Sequence, residues 1–244
     1  MSLSTLREGY RAFVFGASGG IGAAFVRALS ADPRCGGVFA GARRPLAHAP
    51  KAAPFRFDLL DEASIAAAAA LGERGEADLV IVASGKLHDQ ALQPEKSLRA
   101  LDPAALARSF AVNAVGPALI AKHMLPLMPR ERKSVFAALS ARVGSISDNR
   151  SGGWYGYRAA KAALNQLIRT SAIELAQKNK QAACVALHPG TVDTALSKPF
   201  QAGVKTHALL SPDESAGHLL RVMDQLSAQD SGGCFAWDGT PIPF

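Results

Sequence analysis

Tyr157 and Lys161 stand four residues apart in the run Trp154-Tyr155-Gly156-Tyr157-Arg158-Ala159-Ala160-Lys161-Ala162-Ala163-Leu164-Asn165, which is rich in strong helix formers. Residues at i and i+4 share one face of a helix, with Cβ atoms roughly 5–6 Å apart. A phenol and an ammonium can therefore enter one cleft. A phenol titrating at about 10 is a poor proton donor or acceptor at neutral pH. A neighbouring ammonium favours the phenolate and brings that value towards the working range of a general acid or base. The chemistry expected is proton transfer at an oxygen. The spacing alone is common, and two unrelated residues on a solvated helix face would give the same pattern.

The elements that must position this pair can be read in order. Residues 11–16 form a short apolar strand running into Gly16-Ala17-Ser18-Gly19-Gly20-Ile21-Gly22, then a helical pattern through Phe25, Val26 and Leu29 that Asp32-Pro33 ends. Strand, glycine turn and helix make the setting of a dinucleotide site. Glycines let the backbone approach a pyrophosphate, and the helix N-terminus offers free N–H groups. Gly16, Ser18, Gly19, Gly20, Ile21 and Gly22 are the phosphate-binding candidates, in the spacing G-x3-G-x-G. A glycine turn that only packs is the plainer alternative.

A second strand, Val38–Ala40, ends at Gly41-Ala42-Arg43-Arg44. In a doubly wound fold this strand end lies beside the adenosine ribose. It has no acidic residue to hold the 2′-OH of NAD(H), whereas Arg43 and Arg44 suit a 2′-phosphate, so NADP(H) is the expected cofactor. Phe55–Asp58 reads as a third strand, with Asp58 and Leu59 placed for the adenine, followed by an Ala-rich helix from Asp61 to Leu71. Asp78–Gly85 is a continuous apolar strand that brings Ala83, Ser84 and Gly85 to the cofactor. After a polar loop over 86–101, Asp102-Pro103 caps a helix reaching the Pro126 region. On it, Asn113 is either a satisfied core polar group or a catalytic one.

Ser134–Ser140 is a fifth strand, followed by a loop to Gly153 and the Tyr157 helix. A sixth strand, Ala182–Leu187, ends in His188-Pro189-Gly190-Thr191-Val192-Asp193-Thr194. Ser211-Pro212-Asp213-Glu214 has the form of a capping box opening the last helix. Cys234–Ala236 is a short seventh strand. The alternation has no linker and no repeat. It predicts an α/β chain with a single-domain Rossmann fold over 1–244, built on a doubly wound, mostly parallel seven-stranded sheet.

Composition narrows the function. A chain of 244 residues can bury a core without a metal or disulfide staple. The net charge of +7 comes from scattered Lys and Arg, which fits a phosphate-bearing cofactor better than nucleic acid. Cys35, Cys184 and Cys234 lie far apart in no ligand-like spacing, so no metal is expected and the thiols read as reduced. No apolar run of about 18 residues and no signal peptide are seen, which points to a cytoplasmic protein away from membranes.

With these residues in place, the chain resembles the short-chain dehydrogenase/reductase family over essentially its whole length. The matches are Gly16, Gly20 and Gly22, Asp58, Asn113, Tyr157 and Lys161, and Pro189-Gly190, in family order and spacing. Residues 140–145, 152–157 and 235–239 resemble the branch of C-factor-like and sniffer-like carbonyl reductases. The resemblance implies that Tyr157 protonates a carbonyl oxygen as NADPH delivers hydride. It implies that Lys161 holds the nicotinamide ribose and that Asn113 anchors a water in a proton relay. It implies that Pro189, Gly190, Thr191, Val192 and Thr194 border the nicotinamide, and that the protein is a homodimer or homotetramer acting on a small carbonyl or alcohol.

Two departures bear on activity. Val82-Ala83-Ser84-Gly85 stands where the family has an Asn-Asn-Ala-Gly turn, and Ala141 aligns with the catalytic serine. Either Ser140, the first choice, or Ser145 takes that role, or Tyr157 works alone. The rival is a catalytically weak dinucleotide-binding sensor or signalling protein of the same fold. Residues 195–210, with Leu196, Pro199, Phe200 and Val204, are expected to form a substrate lid.

Overall fold

The computed structural model describes residues 2–46, 49–90, 92–202 and 208–244. In chain order the first half holds β1 (Tyr10–Phe15), α1 (Gly20–Ala31), β2 (Cys35–Ala42), β3 (Ala52–Arg56), α2 (Glu62–Ala69), β4 (Leu79–Val82), α3 (Pro103–Phe110) and α4 (Gly116–Met124). The second half holds β5 (Ser134–Leu139), α5 (Tyr155–Lys178), β6 (Ala182–His188), β7 (Thr191–Val192), β8 (Leu209–Leu210), α6 (Pro212–Gln225) and β9 (Cys234–Ala236).

The apolar runs without alternation make the centre of the sheet. Every residue of β4 and β5 is buried, as strands covered by helices on both faces must be. Seven strands join in the order β3-β2-β1-β4-β5-β6-β9, each neighbouring pair parallel. The order reverses between β1 and β4, so the crevice outside the carboxyl ends of those strands is where a ligand belongs.

Two apolar layers close over the sheet. Phe25 and Leu29 of α1 and Leu219 and Met223 of α6 cover one face. Ile120 and Met124 of α4 and Leu164 and Ile168 of α5 cover the other. α6 opens with the expected capping box, in which Ser211 and Glu214 each bond the other's backbone N–H. Asp102 caps α3 as read, and Asp61, read as the start of the Ala-rich helix, is the cap of α2.

Four features differ from the expectation. The third strand spans Ala52–Arg56, so Asp58 follows it by two residues. β7 and β8 form a second, two-stranded sheet after the Pro-Gly turn. The long helix is interrupted by a π-helical turn at Ala111–Val115, the place of Asn113. The stretch Pro103–Leu127 is, at 25 residues, long and apolar enough to cross a membrane, which corrects the expectation of no such run. In this fold its Ile120 and Met124 are fully buried in the core.

Candidate functional site

The first strand turns into α1 through Gly16, whose φ of +93° lies in the left-handed region that favours glycine. A Cβ there would also lie 2.8 Å from Ser84 Oγ. Gly22 lets β1 and α1 close up, since a Cβ on it would meet Gly16 O at 2.1 Å. α1 has no side-chain cap and no acidic residue in its first turn, so its N–H groups remain open to an anion. A groove of about 280 Å³ runs from this turn, lined by Gly16, Ser18, Gly19, Arg43, Asp58 and Leu59 and ending at Ala83, Ser84 and Gly85. A glycine cradle, an uncapped helix terminus and a guanidinium beside it fit a dinucleotide phosphate. Arg43 borders the groove and, together with Arg44, an adjoining hollow with Pro45, Leu46 and Pro54.

The groove continues past Ser84 and Gly85 into a mostly apolar cleft of about 430 Å³. Ile21, Tyr157, Lys161, Pro189, Gly190, Thr191, Val192 and Thr194 line it, so the residues expected near a nicotinamide are brought together. Gly20 supports Thr194: a Cβ on it would lie 2.9 Å from Thr194 Cγ2.

α5 starts abruptly. Trp154, its N-cap, is held at φ 52° and ψ 43°, left-handed values rare for a bulky residue. It offers no side-chain cap, and Glu95 supplies one from a distant loop: its carboxylate accepts from Gly156 N–H at 3.0 Å and its backbone carbonyl from Trp154 N–H. Anchored this way, the first turn of α5 aims Tyr157 at the cleft. The Tyr157 hydroxyl makes no hydrogen bond to any described residue. Its ring packs edge-to-face on Trp154, which packs on Phe200 in the same manner.

Lys161 is 2% exposed, and its Nζ donates to Leu139 O at 2.8 Å. Burial pulls its ammonium down to about 7 and pushes the Tyr157 phenol above its ordinary value. The expected lowering of the phenol by Lys161 is thus outweighed by burial. The reason is geometric: Nζ lies 5.7 Å from the ring centroid, and desolvation acts on both groups.

Asn113 is fully buried, and its amide grips the turn after β4. Oδ1 accepts from Lys86 N–H at 2.9 Å, and Nδ2 donates to Lys86 O at 2.8 Å and Ser109 O at 3.1 Å. This amide braces the turn where the family's asparagines are missing. A Cβ on Gly85 would lie 3.5 Å from Asn113 Oδ1 and 3.6 Å from Lys161 Nζ, so the three converge at one point.

Ser140 lines the cleft, but its hydroxyl donates to Asn165 Oδ1 at 2.7 Å, away from the open space. Ser145 is buried and accepts from Asp148 N–H; it does not line the cleft. Neither hydroxyl is turned to replace the one that Ala141 lacks. Leu196 and Phe200 of the expected lid line the cleft; Pro199 does not, and Val204 lies outside the described residues. Leu87, Val143, Trp154 and His188 also line it and were not marked by the sequence, because nothing local distinguishes them from core and loop residues.

The family model for short chain dehydrogenase matches residues 11–205. The C-signal protein of Myxococcus xanthus is 35% identical over 144 residues, covering 59% of this chain and 81% of that one. An NADPH-bound carbonyl reductase from chicken fatty liver superposes with a TM-score of 0.79 at 26% identity, covering 98% of this chain and 95% of that one. The carbonyl reductase Sniffer of D. melanogaster superposes with a TM-score of 0.82 at 23% identity, over 98% and 100% of the two chains, and shows the shared fold. The glycine turn, the Tyr157–Lys161 pair and the sheet order thus have one origin: the chain belongs to the short-chain dehydrogenase family, whose members are oxidoreductases that bind a nicotinamide dinucleotide.

Proposed function

We propose that the protein is an NADP(H)-dependent carbonyl reductase, or alcohol dehydrogenase in reverse, acting on a small and largely apolar substrate. The observation that carries this reading is the Tyr157 hydroxyl, without a partner among the described residues, at the wall of an apolar cleft that opens into the glycine groove. Bound NADP(H) supplies the hydride. Gly16 to Gly22 and Ser84-Gly85 would hold its phosphates and ribose, and Lys161 and the Pro189–Thr194 turn would frame its nicotinamide end. Tyr157 gives its proton to the substrate oxygen, and Lys161, with Asn113 beside it, returns a proton from solvent to the phenol. Leu87, Val143, Trp154, Leu196 and Phe200 exclude water and favour an apolar carbonyl. Exposed Leu167 and Ile173 on α5 fit assembly as a homodimer or homotetramer.

Titrating NADPH and NADH against tryptophan emission, then adding aldehydes, ketones and quinones, tests the proposal. NADPH oxidation on at least one carbonyl is the expected result. Binding without turnover across the panel would favour the second reading, a dinucleotide-binding sensor, which Ala141 motivates. Cofactor choice is tested separately. Arg43 is exposed and makes no ion pair among the described residues, which leaves its guanidinium for a 2′-phosphate. Arg43→Ala should raise KM for NADPH about tenfold or more, the loss of one charge-assisted contact, and leave KM for NADH nearly unchanged. Equal changes in both would reject the assignment.

A further inference from the structure

One polar side chain of the cleft has no part in the chemistry above. His188 closes β6, and the register that pairs Leu139 with Leu187 carries on to set it beside Ser140, one residue from Ala141. Its Nδ1 is fully buried without a hydrogen-bond partner. Nε2 also has no protein partner among the described residues, but it is not sealed in this way. Burial and the nearby Arg142 guanidinium hold the ring neutral, with its pKa lowered to about 4. A neutral imidazole carries one hydrogen, on one nitrogen or the other. A buried N–H with no acceptor is rarer than a buried acceptor left short of a donor. The favoured tautomer therefore leaves Nδ1 bare and puts the hydrogen on Nε2.

A carbonyl oxygen accepting hydride needs donors where its negative charge develops. Tyr157 supplies one. Ala141 offers only a methyl, Ser140 is engaged with Asn165, and Ser145 is outside the cleft. We propose that His188 is a catalytic residue whose Nε2–H donates a hydrogen bond to the substrate's carbonyl oxygen, replacing the hydroxyl absent at Ala141. The role rests on the carbonyl reductase reading. It is electrophilic: the hydrogen stays on Nε2, Tyr157 transfers the proton, and the two donors share the developing charge. A neutral imidazole polarises a carbonyl without competing as an acid.

The test uses the full chain with NADPH and a carbonyl that the wild type reduces. His188→Leu, which removes the donor at similar bulk, should lower kcat/KM by about 10²–10³-fold with KM for NADPH unchanged. His188→Gln, which restores an N–H near the Nε2 position, should recover at least a tenth of wild-type activity. Ser140→Ala should cost less than about threefold, since its proton is already engaged. Nitrogen NMR of the imidazoles, assigned by loss of a signal in His188→Gln, should show Nε2 protonated and Nδ1 bare. Undiminished turnover in a folded His188→Leu, the main loss in Ser140→Ala, or the opposite tautomer would each overturn the role while leaving the reductase reading intact. A wild type that reduces no carbonyl would overturn both.

Discussion

Tyr157→Phe is expected to lower kcat for carbonyl reduction by about 10²–10⁴-fold, the usual contribution of a positioned general acid, while the Kd for NADPH and the Tm stay unchanged. The fold loses nothing by the change. The hydroxyl has no described protein partner, and the ring keeps its edge-to-face contact with Trp154 at 6.3 Å. Because enclosure pushes the phenol above its ordinary value, the acid form is present throughout the neutral range. Wild-type reduction should therefore stay level between about pH 6 and 9 as far as this group is concerned. Single-turnover kinetics separate the chemical step from release of the oxidised cofactor. A loss of less than tenfold would mean that another group protonates the oxygen, and His188 would be the first to examine.

How much of this was legible depended on how local each signal was. Gly16 to Gly22 and the strand Leu79–Val82, inside the predicted run Asp78–Gly85, announce themselves because their conformations follow from residues next to them in the chain: glycines at a tight turn, and apolar side chains with no exposed face. Asp102 and Ser211 cap helices for the same reason. Asn113 stayed ambiguous, because the groups that satisfy it are Lys86, 27 residues away, and Ser109, and pairing of that kind is set by the fold. Glu95 went unmarked: nothing in the sequence says that a loop carboxylate caps a helix that begins at Tyr155. Arg43 and Arg44 are adjacent and chemically alike, and spacing alone does not say that Arg43 borders the glycine groove while both line the hollow beside it. His188 was visible as part of a Pro-Gly turn. Its chemistry depends on a buried, unpartnered Nδ1 and on Arg142, neither of which spacing reveals. The Tyr157–Lys161 spacing placed both groups in one cleft correctly, but proximity on a helix face did not give their electrostatics. Burial outweighs the pair interaction.

That balance makes Lys161→Met the second large effect, and one that separates catalysis from stability. Turnover should fall by about 10²-fold or more, as expected when the group that returns a proton to Tyr157 is removed. The cofactor-free variant should nonetheless be more stable than the wild type at pH 7. The sign follows from linkage. The ammonium titrates at about 7 in the folded protein against 10.5 as an ordinary lysine. Between those values the unfolded chain holds a proton that the folded chain has released, so wild-type stability rises with pH. The cost of the buried charge is fully present below about 7 and is relieved as pH approaches 10.5. Within that window the slope is about 1.4 kcal/mol per pH unit for one group. Met fills the same slender space without a charge, and its loss of the bond to Leu139 O costs about 1 kcal/mol. The stability advantage of Lys161→Met should therefore be greatest at pH 7 and below and shrink steadily towards pH 10. Chemical denaturation at a series of pH values measures it. Parallel profiles for the two proteins would mean that Lys161 remains charged in the fold, with a counter-charge or solvent reaching it, and that the proton it returns to Tyr157 is held there before cofactor arrives.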